Sequence, residues 1–129
     1  MRKITQDSVK AFLNESEFKR GNTQVKVSHI DENNDSNAPY EPITVITDLL
    51  LHGNIIATAT KKFSNGKYET TIAMTSAGWK TATTKDRLNG LLHYLNAGSI
   101  QQNDFTWYYN GEYWNGNSIT IYPQTSITS

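Results

Sequence analysis

The chain contains no cysteine and shows no imbalance of charge, and each absence excludes a class of protein. Without cysteine among its 129 residues, it can form neither a disulfide framework nor a thiolate metal site, which fits a reducing compartment. Twelve basic residues balance twelve acidic ones. No overall electrostatic field therefore draws the protein towards nucleic acid or anionic lipid.

Long apolar runs are also missing. Runs such as Leu49–Leu51 are far shorter than the about 20 residues that cross a bilayer as a helix. The basic residues at the start of the chain are followed by polar and charged residues rather than by the apolar centre of a signal peptide. We therefore expect a soluble cytoplasmic protein with no membrane contact.

The first part of the chain predicts a helix followed by strands. Val9, Phe12 and Leu13 share one helical face, Thr5 is the expected cap, and Gly21–Asn22 is the expected end. The pattern then alternates with a period of two, which is typical of half-buried strands. Strand material is predicted at residues 24–28, 43–46, 49–51, 55–60, 68–74, 105–109, 112–114 and 119–121.

Short turn signals divide these strands. Gly53–Asn54, Asn65–Gly66 and Asn110–Gly111 are predicted two-residue hairpin turns, because glycine and asparagine tolerate positive φ. The polar, acidic segment of residues 31–42 contains two prolines and is predicted to be a surface loop.

The stretch GWKTATTKDRLNGLL, residues 78–92, opens a second helix. Thr83 or Thr84 is the predicted N-cap, and Asp86 would complete a capping-box-like pair with Thr83. Behind it, leucines recur at i, i+3, i+4 and i+7, which predicts an apolar stripe buried on a sheet: Leu88, Leu91, Leu92 and Leu95. We predict a single α+β domain over residues 1–129, with an antiparallel sheet of about five to six strands, an N-terminal helix and this second helix packed on it.

Catalytic motifs are scarce. The histidines His29, His52 and His93 lie on separate predicted elements without the spacing of a metal site. A Gly-x-Ser-x-Gly elbow, a phosphate-binding glycine loop and a cysteine nucleophile are all missing from the sequence. We expect no enzyme activity, no metal and no cofactor, and a small hydrolase or transferase ranks last among the candidate functions.

The start of the second helix has two interpretations. Its unpaired N–H groups and positive dipole end, with Lys80, Lys85, Arg87 and the neighbouring threonine hydroxyls, suit a phosphate. Asp86 in the same turn opposes an anion. Helix capping and ordinary surface exposure are the simpler explanation.

The C-terminal aromatic residues also have two interpretations. Exposed rings of Trp107, Tyr109, Tyr113 or Trp114 could stack on nucleic-acid bases at about 1–3 kcal/mol each. The same rings could instead pair across strands and cover the leucine helix. Because successive residues of a strand face opposite sides, at least one ring of residues 107–109 lies on the far side from the core unless a second layer covers it, and that ring is a candidate anchor for a partner.

Three sequence blocks carry a resemblance to a known group of proteins. The blocks LHGNIIA (residues 51–57), GWKTATTKDRLN (78–89) and WYYNG (107–111) make the chain similar to small proteins encoded by tailed bacteriophages. Compared with those proteins, this chain has a long insertion at residues 31–42 and extends past Trp114. The resemblance implies a phage-encoded accessory protein made in the cytoplasm of the infected bacterial host, and it carries over no catalytic residue.

We therefore expect a non-catalytic protein that binds a host or viral macromolecule, most simply a protein, and inhibits or redirects a host system. The alternative is a nucleic-acid-binding module that places its cations on phosphates and its C-terminal rings on bases. The expected binding residues are Trp79, Lys80, Thr83, Thr84, Lys85, Arg87, Trp107, Tyr109, Tyr113 and Trp114.

Overall fold

The arrangement of helices and strands comes from a computed structural model, which describes residues 1–31 and 43–123. The predicted acidic loop lies outside the described residues except for Asp31, which ends a strand. The elements of the described residues are, in chain order, α1 (Lys3–Leu13), β1 (Phe18–Arg20), β2 (Thr23–Asp31), β3 (Ile43–Leu51), β4 (Asn54–Ser64), β5 (Lys67–Met74), α2 (Ala82–Leu95), β6 (Ile100–Asn103), β7 (Thr106–Tyr109), β8 (Glu112–Tyr113) and β9 (Ile119–Tyr122).

The strands form two antiparallel sheets. The large sheet has six strands in the order β1-β2-β3-β4-β5-β9, and the small sheet has three in the order β6-β7-β8. In the large sheet, Val25 pairs with Leu49, Leu49 with Ala57, and Ala57 with Met74. All four side chains are buried, so this row marks the face on which the helices pack. The predicted α+β class with two helices on an antiparallel sheet is confirmed.

Helix α1 begins and ends earlier than predicted. It starts at Lys3, where Arg2 makes no side-chain cap bond, and Thr5 lies inside the helix with its side chain buried. The predicted role of Thr5 as a cap is therefore wrong. The helix stops at Leu13, where Asn14 caps it and Glu15 turns the chain with a φ of 55°. Phe18–Arg20 then pairs with β2 as a short edge strand, so Gly21 and Asn22 form a hairpin turn rather than a helix end.

Helix α2 confirms the leucine stripe. Leu88, Leu91 and Leu92 are fully buried, and Leu95 packs against them partly exposed. Gly90 lies where α1 and α2 come closest: a Cβ atom there would lie 2.3 Å from Cγ2 of Thr5.

The cap of α2 differs from the prediction. Thr81 is the N-cap residue, and its Oγ1 accepts a hydrogen bond from the Thr84 backbone N–H at 3.1 Å. Neither Thr83 nor Thr84 caps the helix, because the extended backbone required at the cap belongs to Thr81. Asp86 bonds to Thr5 and Arg87 instead of completing a capping box.

Most of the predicted turns are found. Asn65–Gly66 and Asn110–Gly111 both have positive φ at their two central residues, as type I′ turns require. The β3–β4 turn is made by His52 and Gly53, one residue earlier than predicted, and Asn54 already pairs with Leu51. This shift places glycine at the second central position, where it is strongly favoured.

The small sheet packs beside α2. The Asn89 side chain accepts a hydrogen bond from the Ile100 N–H at 2.7 Å and donates one to its carbonyl oxygen at 3.0 Å. Trp107 and Trp114 extend the core from the α2 leucines. The chain then returns to the large sheet, where the Gly116 carbonyl accepts from the Ser76 N–H at 2.8 Å.

Candidate functional site

Arg87, a predicted phosphate contact, is buried. Its side chain is 2% exposed, with Nε donating to Oγ1 of Thr23 at 3.1 Å and Nη1 donating to Oγ1 of Thr5 at 2.7 Å. Nη1 also lies 2.8 Å from a carboxylate oxygen of Asp86, which in turn accepts from the Thr5 hydroxyl. Burial lowers the pKa of Arg87 while the Asp86 charge raises it. The guanidinium joins α1, β2 and α2 and faces no solvent.

The other residues predicted at the helix start are divided between the interior and the surface. Thr84 is buried, with its Oγ1 3.0 Å from that of Thr81. Lys85 donates from Nζ to Oε1 of Gln102 on β6 at 3.1 Å. Lys80 and Trp79 are exposed, the Trp79 side chain by 60%. The predicted phosphate cradle does not assemble, because its central cation is held inside the fold.

A cleft of about 390 Å³ opens on one side of the first turn of α2. The β3–β4 turn and the loop before α2 form its walls, so two of the sequence blocks noted above converge here. His52 and Asn54 were not predicted as site residues; their inclusion in the block LHGNIIA was the signal that could have found them. The lining residues are Leu51, His52, Asn54, Ile56, Ser76, Trp79, Thr81, Thr83 and Thr84.

The aromatic residues of the small sheet separate into two faces. Trp107 and Trp114 are buried with ring centroids 6.0 Å apart. Tyr109 lies on the same side: its ring is 6.5 Å from Trp114, and its hydroxyl donates to the Ala97 carbonyl at 2.8 Å. Burial raises the pKa of Tyr109. The expectation that Trp107 and Trp114 offer their rings to a partner is wrong, because they complete the core around α2.

Two tyrosines face outward. Tyr108 lies between inward-facing Trp107 and Tyr109, so alternation along the strand turns its ring away from α2. It pairs directly with Tyr113 across the β7–β8 ladder, and Tyr113 is 67% exposed. The expectation that one ring of residues 107–109 points away from the core is confirmed, and that ring is Tyr108, which was not among the predicted binding residues. We call Tyr108 and Tyr113 the tyrosine face.

An exposed phenylalanine marks the β6–β7 turn. Phe105 is 92% exposed and adopts a φ of 67°, and its neighbour Asp104 has a φ of 50°. Strand β6 runs along α2 towards the start of the helix, since Ile100 contacts Asn89 and Gln102 contacts Lys85. The turn therefore lies at the start of α2, on the β6 side of that helix. The prediction that the strand starts at Phe105 is wrong: β7 starts at Thr106, and Asp-Phe is not a hairpin signal that would have revealed the turn.

Metal-binding and membrane-spanning features are not found in the described part of the chain. Within residues 1–31 and 43–123, no group of three or more histidine, aspartate or glutamate side chains is placed to hold a metal ion. No helix within those ranges is long and apolar enough to cross a bilayer.

Comparison with protein families identifies a match over nearly the whole chain. The sequence model of the Kyanoviridae Gp96 protein family matches residues 1–126. No curated protein and no solved structure is significantly similar to the chain. The family match confirms the resemblance to tailed-phage proteins and covers the first helix as well as the three blocks that suggested it; the particular residue pattern of those blocks stays a prediction.

Proposed function

Because the chain belongs to the Kyanoviridae Gp96 family of tailed-phage proteins, we propose that it is a non-catalytic accessory protein that binds a host or viral macromolecule. It acts in the cytoplasm of the infected bacterium, where it inhibits or redirects a host system. The preferred partner is a protein.

The tyrosine face is the observation that carries this proposal. Tyrosine is enriched at the energetic centres of protein interfaces, because its large ring buries apolar area and its hydroxyl accepts or donates a hydrogen bond. Tyr108 and Tyr113 lie side by side on a sheet whose other face is already filled by the core. Neither ring belongs to that core; Tyr113 is exposed and Tyr108 is half-buried, so the pair offers one exposed ring backed by a second.

Lys80 lies near the segment that follows the tyrosine face. The segment that follows Trp114 packs on the loop before α2, where the Gly116 carbonyl accepts from Ser76. A Cβ atom at Gly116 would lie 3.3 Å from Cε of Lys80. Tyr113 is three residues before Gly116, so the chain leads from the tyrosine face to the loop before α2.

The charges in this region favour a protein over a nucleic acid. Of the three cations predicted to bind phosphates, Arg87 is buried and Lys85 bonds to Gln102. Of these three cations, only Lys80 has no hydrogen bond or ion pair within the described residues. Asp104 and Glu112 lie on the small sheet itself and would repel a phosphate backbone. A nucleic-acid interface instead relies on several unengaged Lys or Arg side chains.

Affinity capture from infected host cells tests the proposal. Tagged wild-type protein, Tyr113→Ala and the control Tyr68→Ala are incubated with nuclease-treated lysate. Tyr68 is 52% exposed, but it lies near the start of β5. By strand rise it is about 20 Å from Met74, the end of β5 that leads into the loop before α2. We expect a partner that is retained by the wild type and by Tyr68→Ala and lost from Tyr113→Ala.

Two results would reject this function. Equal recovery by all three proteins would show that the tyrosine face does not bind the partner. Material captured from untreated lysate but not from the nuclease-treated lysate, with an affinity that falls steeply with salt, would establish the nucleic-acid alternative.

A further inference from the structure

Phe105 is held in an unfavourable position. A bulky L-residue with φ of 67° is strained, and glycine is the residue that a type I′ turn favours at this second central position. The ring is 92% exposed, so no intramolecular packing offsets the strain. An apolar ring projecting from a strained turn has the properties of a contact residue.

The cleft beside α2 can receive such a ring. Its floor contains the apolar side chains of Leu51 and Ile56, and the exposed indole of Trp79 forms one wall. Its volume of about 390 Å³ lies in the range of pockets that hold small organic ligands, so one phenyl ring fits. Among the residues that the structure describes, no carboxylate lines it.

The ring and the cleft lie at the same end of the molecule. Thr83 and Thr84 in the first turn of α2 line the cleft, whereas Lys85 in the same turn contacts β6, which leads to Phe105. Because the two features flank one helix start, a two-fold axis beside it can place each ring in the other copy's cleft.

The charges around the two features are complementary. Asp104 precedes the ring and Lys80 follows Trp79 in the cleft wall, and neither forms an ion pair within the described ranges. The formal net charge of zero means that two copies do not repel each other as wholes.

We propose that two copies of this chain form a symmetric dimer in which Phe105 of each enters the Trp79 cleft of the other, with Asp104 facing Lys80. This goes beyond the proposed function.

Sedimentation of the purified full chain over a wide concentration range tests the dimer. We expect a concentration-dependent dimer for the wild type and for the control Tyr68→Ala, which removes an exposed ring from β5. Phe105→Gly removes two buried rings per dimer and is expected to raise the dimer Kd by about 100-fold or more. Thr83→Lys, which puts a long charged side chain at the cleft, and Lys80→Glu, which reverses the complementary charge, are expected to weaken the dimer as well.

Tryptophan fluorescence gives a second readout, because Trp79 is the exposed one among the three tryptophans, Trp107 and Trp114 being buried. Acrylamide quenching is expected to fall with protein concentration for the wild type and to stay constant for Phe105→Gly. A monomer at every concentration, or a dimer unaffected by Phe105→Gly and Thr83→Lys, would overturn the inference. Either result leaves the partner capture by Tyr113 to be decided separately.

Discussion

Replacing Arg87 with alanine is expected to destabilise the protein strongly. The substitution removes a buried guanidinium that bonds to Thr5, Thr23 and Asp86. Removing one partner of a buried charge pair typically costs about 3–5 kcal/mol, because the groups left behind are desolvated and unpaired. Asp86 is about one-third exposed, so water relieves part of this loss. We expect a decrease of about 3 kcal/mol in the free energy of unfolding.

Thermal and urea denaturation measure this effect. For a domain of this size, about 3 kcal/mol corresponds to a decrease in Tm of roughly 10 °C. Lys85→Ala is the matched control: it removes a neighbouring cation whose single bond to Gln102 is exposed, and a change within about 0.5 kcal/mol is expected. If Arg87→Ala melted with the wild type, the buried network would not hold α1, β2 and α2 together.

Three further predictions concern single contacts. Gly90→Ala gains about 1 kcal/mol of helix propensity, but its Cβ would lie 2.3 Å from Cγ2 of Thr5. Because overpacking costs about 1–3 kcal/mol, we expect a net loss of stability. A Tm above that of the wild type would contradict this. Tyr109→Phe removes the hydrogen bond to the Ala97 carbonyl and should lower the free energy of unfolding by about 1 kcal/mol. Because burial raises the pKa of Tyr109 in the folded state, the stability linked to its titration is present below a pH of about 10 and is lost as pH rises through the folded pKa. The alkaline unfolding curves of the wild type and Tyr109→Phe should therefore differ. The hydrogen bonds that Asp7 accepts from Arg20 and Lys3 lower its pKa. Asp7→Asn should therefore reduce stability at neutral pH and match the wild type once the pH falls below the folded pKa of Asp7. A stability difference that persisted in strong acid would refute this role of Asp7.

Local periodicity predicted the second helix but not its exact start. Four leucines recur at helical spacing and form one apolar face that must be buried. Thr81, Thr83 and Thr84 can all cap a helix by residue type, and only the backbone conformation of Thr81 selects it.

Long-range contacts decided the residues that the sequence placed wrongly. Arg87 meets Thr5 and Thr23, which lie 82 and 64 positions away in the chain. An arginine among threonines and lysines looks like a surface residue until these partners are known. Buried arginines are rare unless paired, so residue type alone indicated an exposed side chain, either plain surface or a phosphate contact.

The small sheet shows a similar limit. Alternation predicted that the rings of residues 107–109 face both sides, but it could not tell which side was inward. That choice depends on β6, whose sequence Ile-Gln-Gln-Asn has one apolar residue and no strong strand pattern. The bonds from Asn89 to Ile100 fix β6 against α2 and so turn Trp107 inward and Tyr108 outward.

The affinity of the captured partner for Tyr113→Ala tests the central claim most directly. Calorimetry on the purified pair would compare the wild type, Tyr113→Ala and Tyr68→Ala, all three with unchanged Tm. A central interface tyrosine is expected to contribute at least about 2 kcal/mol, so Kd should rise about 30-fold or more for Tyr113→Ala alone. Equal Kd values for the three proteins would show that the partner binds elsewhere.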